Sequence, residues 1–545
     1  MIKCPGCGAS MRFDPATQML KCDFCSGSYE ITDQTTADNV SEETEYFEST
    51  LFTCPNCNGE IMADGDTAVT FCSYCGSSVE LQGRLVKMIP PSYVLPFKTT
   101  KESVEEQYKK YIGKALFAPK YMREQSNTEK IRGIYMPYWL YDYSANQVVG
   151  LSGQKSHRSG DYIITDHYRI NVPLKAEYKG TAFDASSSFS DELSESIAPY
   201  NVRDNKLFQE AYMAGFYADT ADVQAIVYEP QAREAVGQDA TVRVIRSRKE
   251  LSGYNVSTSD GSIGRALNAD KQEMAYFPVW FLATKHGDHV SYAVVNGQTG
   301  KVAADVPIAF GKYLIGSLIL ALPIWLILNF GVTPTPRAVA FIGIIFAIIS
   351  YNIANKKLNL IYTREKFFDD KGILSVDKDA RNTRVAAEIE QNGINTTTQK
   401  KPSGAGMIIL LTMACAFGGM FITVVGAAIE SGFLQFVGMA LFMGCGFLPA
   451  LIGKQQSSQN TMQENKKAIV KQPFKQKLNI LWKSLVAILA AIILIIINPF
   501  QDIIYYAGAL VIMALVIASF MDVITLHNKL TKRVPRQFAK RGGDE

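Results

Sequence analysis

Apolar and polar positions alternate along this chain in two different ways, and the change falls near residue 312. Beyond it, the apolar residues come as six unbroken runs, at 313–332, 338–354, 405–429, 432–453, 478–498 and 503–525. At about 1.5 Å of rise per residue, helices of this length match the ~30 Å hydrocarbon layer of a bilayer. Several runs are apolar on every face, which a helix lying on a soluble core is not. Short turns join the runs in pairs and longer polar segments separate the pairs, so the pattern predicts three transmembrane hairpins.

Charge orients that block. The short turns carry one basic residue, Arg337, whereas residues 356–401 carry ten Lys and Arg, residues 454–477 carry six, and six more follow His527. Basic residues near helix ends stay on the cytoplasmic side, so both termini and the longer segments are expected in the cytoplasm. The opening MIKCPGCG has no apolar leader, and insertion is expected to be driven by the internal helices. The hydrophobic content of 47% and formal charge of +3 average two unlike halves.

Before residue 312 the sharpest signal is cysteine. Eight of the ten cysteines form four C-x-x-C pairs, Cys4/Cys7 with Cys22/Cys25 and Cys54/Cys57 with Cys72/Cys75, a repeat of about fifty residues. Two such knuckles, on turns that need small residues (Gly6, Gly8, Gly59, Gly76), bring four thiolates around one tetrahedral ion. The segments between them, 11–20 and 61–70, suit short β-hairpins. Two zinc ions are expected. A rubredoxin-like iron site uses the same ligands and stays open on spacing alone. Disulfides conflict with a cytoplasmic location, and a thioredoxin-like site needs one C-x-x-C in a βαβ unit.

Residues 1–83 hold three basic and thirteen acidic side chains, five of the acids between Asp38 and Glu48. Each four-thiolate zinc site adds a formal charge of about −2. Such a surface repels phosphate, so no nucleic acid is expected.

Residues 87–310 read as an α+β domain with a mainly antiparallel sheet. Thr99 and Glu102 are spaced as a capping box for a helix with Val104, Tyr108, Tyr111, Ile112 and Ala115 on one face, ended by Pro119. Strands are expected at 134–143, 162–172, 240–246, 275–284 and 289–295, and helices at 191–197, 208–217 and 222–235. Hairpin turns are expected at 286–289 and 296–300. A second repeat matches Tyr135, Pro137 and Trp139 with Tyr276, Pro278 and Trp280, each proline reading as a strand start. It fits a duplicated unit or two similar core strands.

The expected organisation is ribbon 1 (1–35), an acidic linker (36–50), ribbon 2 (51–86), the α+β domain (87–310) and hairpin 1 (311–357). A cytoplasmic loop (358–403), hairpin 2 (404–453), a second loop (454–477), hairpin 3 (478–527) and a basic tail (528–545) follow. No catalytic set emerges: His157, His167, His286 and His289 sit in no nucleophile or metal motif, and phosphate loops and nucleophile elbows are missing. Cys415 and Cys445 read as small apolar helix residues.

The stretches CPGCGASMRFDP, KCDFC, IRGIYMPYWLYD and FPVWFLATKHGDHVSYAVVNGQTGKVAADVPI resemble bacterial membrane proteins with transcription factor IIB-type zinc ribbons, sometimes labelled replication-restart-helicase-like. The resemblance covers roughly residues 1–332, and no helicase motif accompanies it. Some of those relatives are associated with phage-shock-protein-A-like and flotillin-like proteins in envelope stress responses. The resemblance therefore implies a membrane platform for soluble or membrane protein partners. Two ribbons and three hairpins set this chain apart from the shorter relatives.

The expected function is a non-enzymatic, multi-pass membrane scaffold that contacts lipid and recruits proteins, with room for a homo-oligomer. The alternatives are a transporter or channel with a zinc-ribbon regulatory domain, and a membrane-tethered nucleic-acid binder. Transport asks for intramembrane charges, and Lys483 and Asp522 are the ionisable residues well inside the runs.

Overall fold

A computed structural model describes residues 2–31, 46–63, 72–77, 82–124, 130–257, 261–286, 289–331, 336–366, 368–376, 381, 474–497, 499 and 501–532. The runs at 405–429 and 432–453, most of the linker and long loops, and the tail beyond 532 lie outside these residues.

Between the cysteine pairs of the first ribbon, β1 (Met11–Asp14) and β2 (Met19–Cys22) form the expected hairpin, and β3 (Ser28–Tyr29) adds a third strand. Met11, Phe13 and Leu20 alternate onto one buried face. The second ribbon is built differently. Its strands β4 (Phe47–Thr53), β5 (Glu60–Ala63) and β6 (Gln82–Met88) pair around β4, which begins within the stretch read as linker. Most of the hairpin expected at 61–70 lies outside the described residues.

The α+β domain follows with β7 (Tyr93–Val94), α1 (Lys101–Lys114), β8 (Arg132–Ser159), β9 (Tyr162–Asp184) and α2 (Asp191–Ile197). Next come β10 (Lys206–Leu207), β11 (Tyr217–Ala218), α3 (Glu229–Ser247), β12 (Asn255–Val256), α4 (Ser262–Ala266), β13 (Asn268–His286), β14 (His289–Asn296) and β15 (Val302–Ala304). Ribbon 2 belongs to the same twelve-stranded sheet, through β5 against β11. Pairing is antiparallel throughout the sheet except for β7 on β13 and β11 on β8.

The Tyr-Pro-Trp repeat lies at the centre. β8 and β13 are antiparallel neighbours, with Tyr135 opposite Pro278, Met136 opposite Phe277 and Pro137 opposite Tyr276. A local two-fold axis therefore passes between Met136 and Phe277. It relates β7–α1–β8–β9 to β11–α3–β13–β14, with the short strands exchanged: β11 runs parallel to β8 at Ile134 and Tyr135, and β7 parallel to β13 at Ala275 and Tyr276. The hydrogen bonds repeat too. Asp219 N donates to Tyr135 O and Leu95 N to Tyr276 O, while Ala185 N donates to Pro137 O and Gly297 N to Pro278 O.

Neither proline starts a strand, contrary to the sequence reading. The carbonyls of Tyr135 and Pro137 both point away from β13, so the N–H that Pro137 lacks faces the gap between β11 and β9. Pro278 occupies the equivalent gap between β7 and β14.

Three other expectations are corrected. Residues 240–246 continue α3, because Ala232, Val236, Gly237, Ala240 and Thr241 recur at helical spacing on its buried face and outweigh the β-branched alternation of ATVRVIR. Residues 208–217 hold one 3₁₀ turn, Glu210–Met213, ahead of β11. The N-cap of α1 is Thr100, whose side chain accepts from Ser103 N. Thr99 instead donates from Oγ1 to Gly297 O and accepts from Trp280 Nε1.

After β15, the chain enters α5 (Phe310–Gly331), α6 (Pro336–Glu365), α7 (Lys371–Val376), α8 (Phe474–Ile497) and α9 (Asp502–Leu530). Stretches within three of these, Val339–Glu365, Lys477–Ile497 and Ile503–Leu530, are long and apolar enough to cross a membrane, while Phe310–Pro323 of α5 is a shorter apolar helix. Thus three candidate spans stand among the described residues against six expected. α6, α8 and α9 pack together through small residues, with Ala340, Ala347, Ala487 and Ala491 fully buried and Gly343 against Ile512. Lys483 Nζ meets both carboxylate oxygens of Asp522, at 2.9 and 2.8 Å, so each charge is neutralised inside the bundle.

The domain is fastened to the ends of α6 and α9. Ser291 Oγ donates to Thr531 O (2.7 Å), and Asn528 exchanges hydrogen bonds with the Ile308 backbone at 2.7 and 2.9 Å. Arg364 pairs with Glu192 and donates to Leu530 O. Beside it, Asp191 accepts from Tyr228 Oη and Lys371 N. Burial, reinforced by Asp370, holds the Asp191 carboxyl up at about 7. Asp184 is fully buried and raised in the same direction, first by burial and then by Asp191 and Asp370.

Candidate metal centres

Each C-x-x-C is one closed loop, and all four loops are alike. The amide of the first cysteine donates to the carbonyl five residues on, as in Cys4 N to Ala9 O and Cys72 N to Ser77 O. The amide four residues on returns a bond to the first cysteine's carbonyl, from Gly8, Ser26, Asn58 and Gly76. Closing so tight a loop puts those four residues at positive φ, between 57° and 74°. Gly8 and Gly76 adopt this freely, while Ser26 and Asn58 carry a Cβ there. Gly6 and Gly59, also singled out in the sequence, are not left-handed; Gly6 instead leaves room for Tyr29 Oη.

The loops bring together all eight predicted ligands, in two groups of four sulfurs, each group within 4.8 Å. Cys4 and Cys25 are 3.5 Å apart, as are Cys7 and Cys22. In the second group, Cys54–Cys75 is 3.8 Å and Cys57–Cys72 is 3.7 Å. A tetrahedron with metal–sulfur bonds of about 2.3 Å has edges of about 3.8 Å, so both donor sets fit a four-thiolate ion.

Electrostatics makes the same point. Burial pushes the Cys4 thiol up, but Tyr29 Oη and the amides of Gly6 and Cys7 outweigh it and bring it to about 6. Cys7, despite the Ala9 amide, is pushed up to about 12 by burial and the adjacent thiols. In the second group Cys54 falls to about 7 and Cys75 is lowered, whereas Cys57 and Cys72 are raised by the sulfurs around them. A central dication removes this conflict by stabilising all four thiolates at once.

The two groups differ in surroundings. In the first, Cys4 and Cys22 are buried and Cys7 and Cys25 exposed. In the second, all four are buried, among Tyr74 of the knuckle itself and Ile61, Ile134, Phe277 and Phe281 of the main sheet.

No family model matches the chain, and no solved structure matches it. The uncharacterized protein YdjG of Bacillus subtilis (strain 168) is 33% identical over 316 residues, which are 57% of this chain and 91% of that relative. The chain belongs to the YdjG family.

In this YdjG-family chain several residues around the sulfurs escaped sequence reasoning. Tyr29 Oη lies 3.7 Å from Cys4 Sγ, Asn56 Nδ2 donates to Cys75 Sγ (3.4 Å), and Ser77 Oγ is 3.2 Å from the same sulfur. Hydrogen bonds to a thiolate disperse its charge and hold it in place. Ser77 follows its knuckle by two residues and was legible as a neighbour; Tyr29 reaches its sulfur only through the β2–β3 turn. Tyr292 Oη of β14 donates to Tyr74 O inside the Cys72–Cys75 loop, a link across 218 residues of sequence that no local pattern carries.

Proposed function

We propose that this YdjG-family protein is a non-enzymatic membrane platform whose soluble domain is stabilised by two zinc ions and presents ribbon 1 to a protein partner. The observation that carries the reading is the seating of the domain on the helix ends, by the bonds of Ser291, Asn528 and Arg364. A domain so attached is held at a set height over the bilayer, which suits recruitment. The distribution of Lys and Arg supports a cytoplasmic position for both termini and the domain. Zinc is favoured over iron as the common occupant of paired ribbons.

Ribbon 1 is the contact face because it is the ribbon left open. Phe24, between Cys22 and Cys25, is 83% exposed. Arg12 pairs with Asp23, and Lys21 with Asp14, so two of its three basic side chains are committed to carboxylates and not to phosphate. A protein face with an apolar pocket and basic rim fits this knuckle. Some of the zinc-ribbon membrane proteins that the chain resembles are associated with phage-shock-protein-A-like and flotillin-like proteins, which supports a partner of that kind. The mutual neutralisation of Lys483 and Asp522 speaks against the transporter alternative.

The test is quantitative co-purification from detergent-solubilised membranes with the full chain and its Phe24→Asp variant. The expected result is loss of a stoichiometric partner with membrane level and metal content unchanged. Equal recovery with both proteins overturns the role given to ribbon 1.

A further inference from the structure

Where the domain meets the helix bundle there is an open cavity of about 690 Å³, between the end of α1, residues 304–308, and the last turns of α6 and α9. Its basic groups come from three elements: Lys114 from α1, Lys357 and Arg364 from α6, and His527 from α9. Asp305 is the carboxylate among the lining residues. Arg364 is engaged by Glu192 and Leu530 O. Lys357 Nζ lies 3.2 Å from His527 Nδ1, while His527 Nε2 lies 3.2 Å from Val306 O. With Nε2 donating to the carbonyl, the neutral ring accepts at Nδ1 from Lys357 Nζ, an arrangement that suits the ammonium form. Among the described residues no carboxylate lies within salt-bridge distance of Lys357 or Lys114.

The depth of the cavity is set by the spans. From 339 to 355 α6 has no charged residue, and Lys356 and Lys357 are the first to follow. On α9, His527 comes just after the apolar run and above the Lys483–Asp522 pair. The cavity thus lies where hydrocarbon gives way to headgroups.

A second observation concerns the loop after α1. Leu116 is 76% exposed, and Phe117 packs its ring on Tyr313 and against Gly316, on the opening turns of apolar α5. Lys312 Nζ ties this loop to the helix by donating to Ala118 O (2.6 Å). Leu314, Ile315 and Leu318 are exposed on the same helix. The loop accordingly lies level with the start of an apolar helix, beside a cationic cavity.

We propose that this cavity binds the phosphate of an anionic phospholipid, with Lys114 and Lys357 on the headgroup and Leu116 and Phe117 among its acyl chains. The two ammonium groups favour a net negative headgroup and repel the trimethylammonium of choline. Free phosphate shares the charge chemistry but has no chain to cover Leu116. This inference rests on the helices spanning the membrane.

Native mass spectrometry of the full chain, purified from membranes in detergent, tests it with three probes: phosphatidylglycerol, phosphatidylcholine and inorganic phosphate. Phosphatidylglycerol is expected to stay bound in preference to phosphatidylcholine, and inorganic phosphate at equal concentration is expected not to displace it. Lys114→Ala, on an exposed helix end, should weaken retention about five-fold, and Lys357→Ala similarly; Lys357→Arg should restore it. Leu116→Ser should weaken retention with the charges intact. Equal retention of the two lipids, displacement by inorganic phosphate, or indifference to both lysine-to-alanine changes overturns the proposal. Recovery of the chain from the soluble fraction instead overturns the membrane reading beneath it, so the two failures are distinguishable.

Discussion

The two ribbons have the same cysteine spacing and the same knuckle hydrogen bonds, yet one leaves two of its sulfurs exposed and the other buries all four. In ribbon 1, Cys7 and Cys25 face solvent, while its other face docks on the domain core through Phe13 against Tyr212 and Phe216, Phe13 N on Ala214 O and Gln18 Nε2 on Phe97 O. In ribbon 2 every sulfur is buried, its strands extend the main sheet, and Tyr74 is bonded to β14, whose Ser291 is bonded to α9. Ligand spacing determines the coordination, and the neighbours determine what losing it costs. A metal that folds a peripheral loop stabilises that loop, while a metal inside a shared core stabilises everything packed on it.

The largest expected effect separates them directly. Cys72→Ser should destabilise the whole soluble domain, since it leaves a polar defect and loses a structural ion inside the core. Cys7→Ser should unfold ribbon 1 alone. Elemental analysis and limited proteolysis check this: two zinc ions for the natural protein, one with an otherwise resistant domain for Cys7→Ser, and general susceptibility for Cys72→Ser. Equal behaviour of the two variants breaks the comparison.

Chelation should then resolve two phases. An exposed thiolate admits competitor and proton, so ribbon 1 should release its ion first, and ribbon 2 only as the domain opens. A single phase for both ions, followed with a chromogenic chelator, removes the distinction.

A smaller effect comes from pH at the junction. Asp191 is held up at about 7 and Asp184 is raised with it, mainly by burial. The folded state therefore keeps protons that the unfolded chain releases near pH 4. Stability from these groups is full below that pH and declines as pH rises through 7. Melting of the purified protein between pH 5 and 8 should follow that slope, and Asp191→Asn should flatten it. Release of the ribbon 1 ion should not share the slope, being remote from the junction.

The smallest change sharpens the comparison at one residue. Ser26 holds φ at 59° in a knuckle of ribbon 1. Ser26→Gly removes the left-handed cost and should stabilise that ribbon by about 1 kcal/mol, seen as slower chelation of its ion with ribbon 2 unaffected.

Much of this was legible from local pattern. The C-x-x-C pairs, the α1 face of Val104, Tyr108 and Ile112, and α2 at 191–197 needed only neighbours in sequence. Misreadings arose where tertiary contacts outweighed propensity. ATVRVIR alternates like a strand but continues a helix whose first residue is held to β8 by Tyr143 Oη on Glu229 O and whose lead-in is held there by Trp139 Nε1 on Val223 O and Tyr141 Oη on Ala225 O. Pro137 and Pro278 looked like strand starts because the gap that accommodates each is closed on one side by a short strand from the other half of the repeat.

By itself the sequence determined the two four-thiolate ligand sets, the apolar runs and the existence of a repeat, because coordination, hydropathy and side-chain periodicity act over a few residues. Only the tertiary structure decided that ribbon 2 buries all four sulfurs in the main sheet while ribbon 1 leaves two exposed, that β7 and β11 are exchanged across the central two-fold, and that Lys114, Lys357 and His527 meet at one cavity. Those outcomes depend on contacts between residues dozens to hundreds apart, whose free energy is set by what the folded chain places beside them and not by what precedes them in sequence.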